Sequence, residues 1–172
     1  FRSIVTTVAG NSHVELIFSY LALGNTFSAE GKYEQAENCY QEGKKLIIDI
    51  HGEEHYWMID YYLDHGALLQ DQGKYKEALE CYRLALEIEI KVFGEDHSIS
   101  ANIYNSIGTV YEKSGEFEEA EKYYNKSYEI WKKVSGERHP STAIALNNLG
   151  VLYFTQGKYQ EALKIHFQVL EI

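Results

Sequence analysis

Proline is almost missing from this sequence, with one residue in 172. Proline breaks helices, so its rarity leaves room for long regular helical runs. Cysteine is scarce as well. Two thiols make no disulfide framework, and they fit a reducing, intracellular, cytoplasmic setting. No apolar run approaches the ~20 residues that span a bilayer, no signal peptide opens the chain, and no membrane is expected as a partner. Positive charge is in deficit: 16 Lys+Arg stand against 26 Asp+Glu, a net charge of −10. That balance lacks the basic footprint of a nucleic-acid binder. Aromatic residues are abundant instead. Fifteen Tyr, seven Phe and two Trp exclude a disordered acidic tail. The length suits one domain or one array with a real core.

The chain repeats itself every 42 residues. Gly31-Lys32-Tyr33 returns as Gly73-Lys74-Tyr75, as Gly115-Glu116-Phe117 and as Gly157-Lys158-Tyr159. The same step links Gly24, Gly66, Gly108 and Gly150. It links Ala36, Ala78, Ala120 and Ala162, and also Tyr40, Tyr82, Tyr124 and His166. A third glycine closes each repeat at Gly52, Gly94 and Gly136, with His55, His97 or His139 three residues on. Gly10 and His13 keep the register, so residues 1–13 read as the end of a preceding repeat and its linker. The repeats then run 14–55, 56–97, 98–139 and 140–172, the last truncated in its second helix.

Each repeat reads as two helices. In the third, Ile99, Ile103, Ile107, Val110 and Tyr111 fall on one face of a helix over 99–114. Gly115 makes the turn. A second helix follows over 117–134, with Phe117, Ala120, Tyr124, Ser127, Tyr128 and Trp131 as its inward stripe. Small residues at Gly108 and Ala120 let the two backbones approach, and a larger residue at Ala120 would cost roughly 1–3 kcal/mol by overpacking.

These residues resemble the tetratricopeptide repeat. Counted from Ile17, Ile59, Ala101 and Ala143, the fourth position holds Tyr20, Tyr62, Tyr104 and Leu146. The eighth holds the four glycines at 24, 66, 108 and 150, and the twentieth holds the four alanines. The resemblance implies an all-α fold, a right-handed superhelical solenoid of antiparallel helix pairs. The usual repeat has about 34 residues. The longer repeat here, its Gly-x-x-His linker and Leu146-Asn147-Asn148-Leu149 resemble the kinesin light chain type.

Motifs that could carry chemistry have simpler readings. His51-Gly52-Glu53-Glu54-His55 matches H-x-x-E-H, but a zinc site of that pattern needs both His on one intact helix. Gly52 falls where each repeat ends its helix. The four linker His are one full repeat apart, too far to share an ion. They read as residues that pack or cap, with Ser98 and Ser141 as candidate N-caps. His65 takes a core position held elsewhere by Leu23, Ile107 and Leu149. Cys39 and Cys81 are register equivalents, beyond the ~7 Å a disulfide allows. The acids of the second helices, Glu116, Glu118, Glu119 and Glu121, read as a solvated face with Glu118 paired to Lys122. There is no phosphate loop, nucleophile elbow or paired CxxC. No cofactor, metal or catalytic residue is expected, and the chain reads as no enzyme.

The resemblance also implies a ligand groove lined by the first helix of each repeat. Carried over by position, it takes Phe18, Leu21, Ala22, Asn25, Ser28 and Ala29 from the first repeat. From the second it takes Asp60, Leu63, Asp64, Ala67, Gln70 and Asp71. The third supplies Asn102, Asn105, Ser106, Thr109, Glu112 and Lys113. The fourth supplies Ile144, Asn147, Asn148, Val151, Phe154 and Thr155. Lys113 is the one cation here, too few for a clamp on an anionic C-terminus. Asp60, Asp64, Asp71 and Glu112 would repel the acidic peptides for which kinesin light chains are known. Asn102, Asn105, Asn147 and Asn148 each offer a donor and an acceptor to a peptide backbone. The reading is a protein-interaction scaffold for a basic or amphipathic peptide or partner helix. The alternatives are a sensing arm of a larger enzyme, such as a protease or nucleotide-binding regulator, and self-association through uncapped ends.

Overall fold

In a computed structural model of the chain, residues 13–172 are described in full and residues 2–12 only as the start of the first helix. The expected end of a preceding repeat at 1–13 thus lies almost wholly outside the described residues. The register places a break at Gly10, yet the helix runs through it. The elements are α1 (Arg2–Ala29), α2 (Tyr33–His51), α3 (Trp57–Asp71), α4 (Tyr75–Phe93), α5 (Ser98–Ser114), α6 (Phe117–Ser135), α7 (Pro140–Thr155) and α8 (Tyr159–Leu170). Each repeat is one helix pair, and no strand occurs among the described residues.

Two kinds of glycine punctuate the array. Gly115 ends α5 at φ +84°, its N–H bonded to the Glu112 and Tyr111 carbonyls. Gly136 ends α6 at φ +91° and opens the linker. Both sit where an L side chain is strained.

The chain divides into two bodies, residues 1–88 and 89–172. In the N-terminal body, Ile17 and Leu21 of α1 meet Ala36, Tyr40 and Ile47 of α2 and Met58, Tyr61 and Leu68 of α3. In the C-terminal body, Ala120 and Tyr124 of α6 pack on Leu146, Leu149 and Leu152 of α7, with Ile165 and Val169 of α8 against them. Ile103, Ile107 and Val110 of α5 are buried too.

One contact recurs in both bodies. A ring of the second helix lies over a glycine of the first. A Cβ built on Gly24 would stand 2.4 Å from the Tyr40 ring, and on Gly108 it would stand 2.7 Å from that of Tyr124. Tyr82 covers Gly66 and His166 covers Gly150 in the same way. So Gly108 makes room for a ring, not for a backbone as the sequence suggests. The spacing of 42 links the glycines and rings as separate series, and only the packing pairs them.

Gly108→Ala therefore sets two effects against each other. Alanine gains up to about 1 kcal/mol of helix propensity. The new methyl collides with a rigid ring buried on all sides, an overpacking cost of about 1–3 kcal/mol. We expect a net loss of stability, read as a lower urea midpoint. Equal or higher stability would mean that Tyr124 can move aside.

Candidate functional site

The first helices place the predicted ligand residues on their unpacked sides, one set per body. In the N-terminal body, Asn25 of α1 donates from Nδ2 to Asp64 Oδ2 of α3 at 3.0 Å. Its Oδ1 accepts from the Tyr40 hydroxyl at 2.6 Å. Asp64 is half-buried. Burial pushes its carboxyl up to about 6, the Asn25 hydrogen bond pulls it down, and the charge of Asp60 adds to the rise. Desolvation also raises Asp60. Phe18 is 44% exposed and meets Trp57 edge-on, ring centroids 5.7 Å apart. Leu21 does not belong to this face. It is buried in the core with Ile17, because the helix turns it toward α2.

In the C-terminal body, Asn148 of α7 donates to Asn105 Oδ1 of α5 at 2.5 Å. Thr109 donates to the Asn105 carbonyl, and the Tyr124 hydroxyl donates to Glu112 Oε2 at 2.7 Å. A cavity of about 80 Å³ opens between α5, α6 and α7, lined by Asn102, Asn105, Ser127, Trp131, Ser141 and Ile144. One water needs only ~10–15 Å³ on this measure, so several heavy atoms fit. Ser127 is fully buried, and its hydroxyl has no hydrogen-bond partner. On α7, Ile144 and Phe154 are 62% and 61% exposed, with Val151 between them and Asn147 half-buried. Lys113 is exposed.

The linker histidines have a definite task. His55, His97 and His139 each accept, at Nδ1, the backbone N–H two residues on: Trp57, Ile99 and Ser141, at 3.2–3.4 Å. His97 and His139 are the side-chain N-caps of α5 and α7, and His55 does the same one residue before the α3 N-cap, Tyr56. Ser98 and Ser141, the expected caps, lie inside their helices. His51 and His55 stack at 4.3 Å across Gly52, and among the described residues no three His, Cys, Asp or Glu gather to hold a metal. His65 is a satisfied, partly buried histidine, bonded to Glu37 at 2.9 Å and Tyr61 at 3.2 Å. Ile107 and Leu149 are indeed core at that position, but Leu23 is 44% exposed. Cys39 and Cys81 are free and buried. On α6, Lys122 pairs with Glu119, not Glu118. Glu121 is no solvated acid either, since it accepts from the Tyr153 hydroxyl at 2.8 Å.

Glu89 escapes the sequence reading. Its side chain is wholly buried, with Oε1 2.5 Å from His97 Nδ1 and Oε2 without a partner. The only signal was an acid at the register position of Ile47 and Trp131. Burial raises its pKa, against the pull of His97. The same His97 Nδ1 meets both the buried carboxyl at 2.5 Å and the Ile99 N–H at 3.4 Å, so Glu89 and the α5 cap share one ring atom.

The tetratricopeptide repeat family matches residues 57–130 and 100–172, and a second tetratricopeptide pattern matches 19–46. The chain belongs to the tetratricopeptide repeat family, and its fold is an all-α helical solenoid. Its repeats are of the kinesin-light-chain-like type. BtubC (BKLC) from P. vanneervenii is similar at TM-score 0.84 and 25% identity, over 99% of this chain and 67% of that one. A putative kinesin light chain from Podosopora anserina, with nearly identical tetratricopeptide-like repeats, gives 0.76 at 20% identity, over 90% and 74%. A signal-transduction ATPase with numerous domains and a tetratricopeptide repeat sensor, from Pyrococcus horikoshii, gives 0.76 at 20%, over 89% of this chain and 23% of that one. No curated protein matches the sequence.

The buried acid makes a pH prediction. A carboxyl whose folded pKa is raised supports the fold below its unfolded pKa, and that support is lost as pH rises through the folded value. Glu89→Gln keeps the shape and a donor for His97 but cannot ionise. Its stability relative to the parent should therefore climb as pH rises above the ordinary glutamate range of about 4. A parent–variant difference in urea midpoint that stays flat over that rise would overturn this account.

Proposed function

We propose that this chain is a non-enzymatic, cytoplasmic protein-interaction scaffold. It binds a peptide or partner helix, basic or amphipathic, on the faces of its first helices. The observation that carries the reading is the α5–α7 face. There an apolar stripe of Ile144, Val151 and Phe154 runs beside paired amides and a cavity large enough for part of one side chain. Exposed apolar groups beside unstrained amides suit a ligand that brings both backbone and side chains. A sensing arm of a larger enzyme rests only on the likeness to the Pyrococcus ATPase, which at 20% identity is a likeness of fold.

A random twelve-residue peptide library displayed on phage tests this. Selected peptides should be rich in Lys, Arg and apolar residues, and raised salt should weaken them. Each lost amide hydrogen bond is worth about 0.5–1.5 kcal/mol, so Asn105→Ala/Asn148→Ala should weaken them about tenfold. Ile144→Asp, at an exposed site, should do so with helicity intact. Peptides that bind the parent and both variants alike, or no selected peptides at all, would sink the proposal.

A further inference from the structure

The faces of the two bodies differ in chemistry. Between Val14 and Gly31, and again between Tyr56 and Gly73, there is no Lys or Arg, while Glu15, Glu30, Asp60, Asp64 and Asp71 all fall there. In the C-terminal body, α7 has no charged residue at all, and α5 carries one acid beside one base. Acidity at the predicted ligand positions is thus concentrated on α1 and α3.

That acidity comes with rings. Phe18 and Trp57 meet across the two helices, and Trp57 also touches His51 and His55 edge-on at 4.5 and 4.9 Å. Tyr56, 45% exposed, extends the cluster. Seven residues beyond Phe18 stands Asn25, and seven beyond Trp57 stands Asp64, and these two are bonded. The helices therefore run side by side in the same direction. The ring pair and the amide–carboxylate pair are two turns apart, about 10 Å. Asp60 lies one turn from each. The result is an aromatic shelf next to two partly desolvated carboxylates, with no Lys or Arg in either stretch to supply a cation.

We propose that this α1–α3 face binds an arginine-bearing segment of a partner protein. The guanidinium lies against Asp60 and Asp64, with its side chain over the Phe18–Trp57 shelf. The inference rests on the peptide-binding reading and names the ligand chemistry of one face. Charge complementarity selects a cation. The rings select arginine over lysine, because a guanidinium is planar, weakly hydrated and able to meet a carboxylate with two parallel N–H donors. Burial already holds the Asp64 carboxyl up, so a cation beside it relieves a cost that the folded chain carries.

The two tryptophans make the test local, since Trp57 and Trp131 lie in different bodies. The probe is an N-acetylated, C-amidated glycine pentapeptide with arginine at its centre, alongside its lysine and neutral citrulline counterparts. Binding is followed by the two indole N–H resonances of the intact chain. The arginine peptide should move the Trp57 signal saturably, the lysine peptide less and the citrulline peptide not at all. Asp60→Asn and Asp64→Asn should each weaken the response at least threefold while helical circular dichroism and the urea midpoint stay at the parent's values. A still Trp57 signal, an equal response to citrulline, or indifference to both variants overturns the proposal. Library-selected peptides that move Trp131 alone would overturn it too and leave the peptide-binding reading standing. A library that selects nothing, with Trp57 still answering to arginine, would remove that reading and keep the site.

Discussion

The ring seated over a helical glycine governs this structure. Each repeat must hold two helices together, and a ring from the second helix, tyrosine in three repeats and His166 in the fourth, does so by filling the space that a missing Cβ leaves on the first. The ring brings a hydroxyl with it, and a buried hydroxyl needs a partner. Tyr40 finds Asn25, and Tyr124 finds Glu112 and Thr109. Those partners occupy first-helix positions assigned above to the proposed ligand faces. Core packing and face chemistry are therefore one network. Asn25 is held from below by Tyr40 and from the side by Asp64, so it loses little freedom when it meets a further group.

The repeat was legible because it is written in residues that leave no choice. Glycines at φ near +80°, glycines under rings and fully buried alanines admit few substitutes, and their spacing survives in the sequence. Helix limits came out within a residue in the third repeat for the same reason. Caps were less legible. Serine is the commoner N-cap, and Ser98 and Ser141 stand one and two residues from the true caps. Histidine wins here because the backbone at His97 and His139 is itself extended, which lets the ring reach the N–H two residues on. A register argument gives position along the chain, but the direction of a side chain depends on what packs beside it. Leu21 and Leu23 show this. The first turned into the core and the second stayed exposed, against expectation in both cases.

The candidate ligand residues were legible as positions and not as partnerships. Asn105 and Asn148 were each read as a free amide, but they bond to one another across α5 and α7. A ligand must either use their remaining donor and acceptor or break that bond. Glu89 was illegible in a stricter sense. A single acid among apolar equivalents looks like ordinary variation in a charged helix. Its burial appears only when α4 and the linker histidine are placed together.

The difference between the two faces is a matter of solvation as much as charge. On α3 the carboxylates of Asp60 and Asp64 stand one turn apart, like charges at a spacing that opposes the helix by a few tenths of a kcal/mol. Both are also partly desolvated, and residues 14–31 and 56–73 hold no Lys or Arg to offset it. A chain selected for stability alone would place a lysine at one of these positions. On α7 the same positions carry neutral amides and exposed aliphatic groups, which cost little ionic desolvation but leave apolar surface in water. Each face thus keeps a different deficit. The two are relieved by different ligand groups, a cation for the first and an apolar side chain for the second.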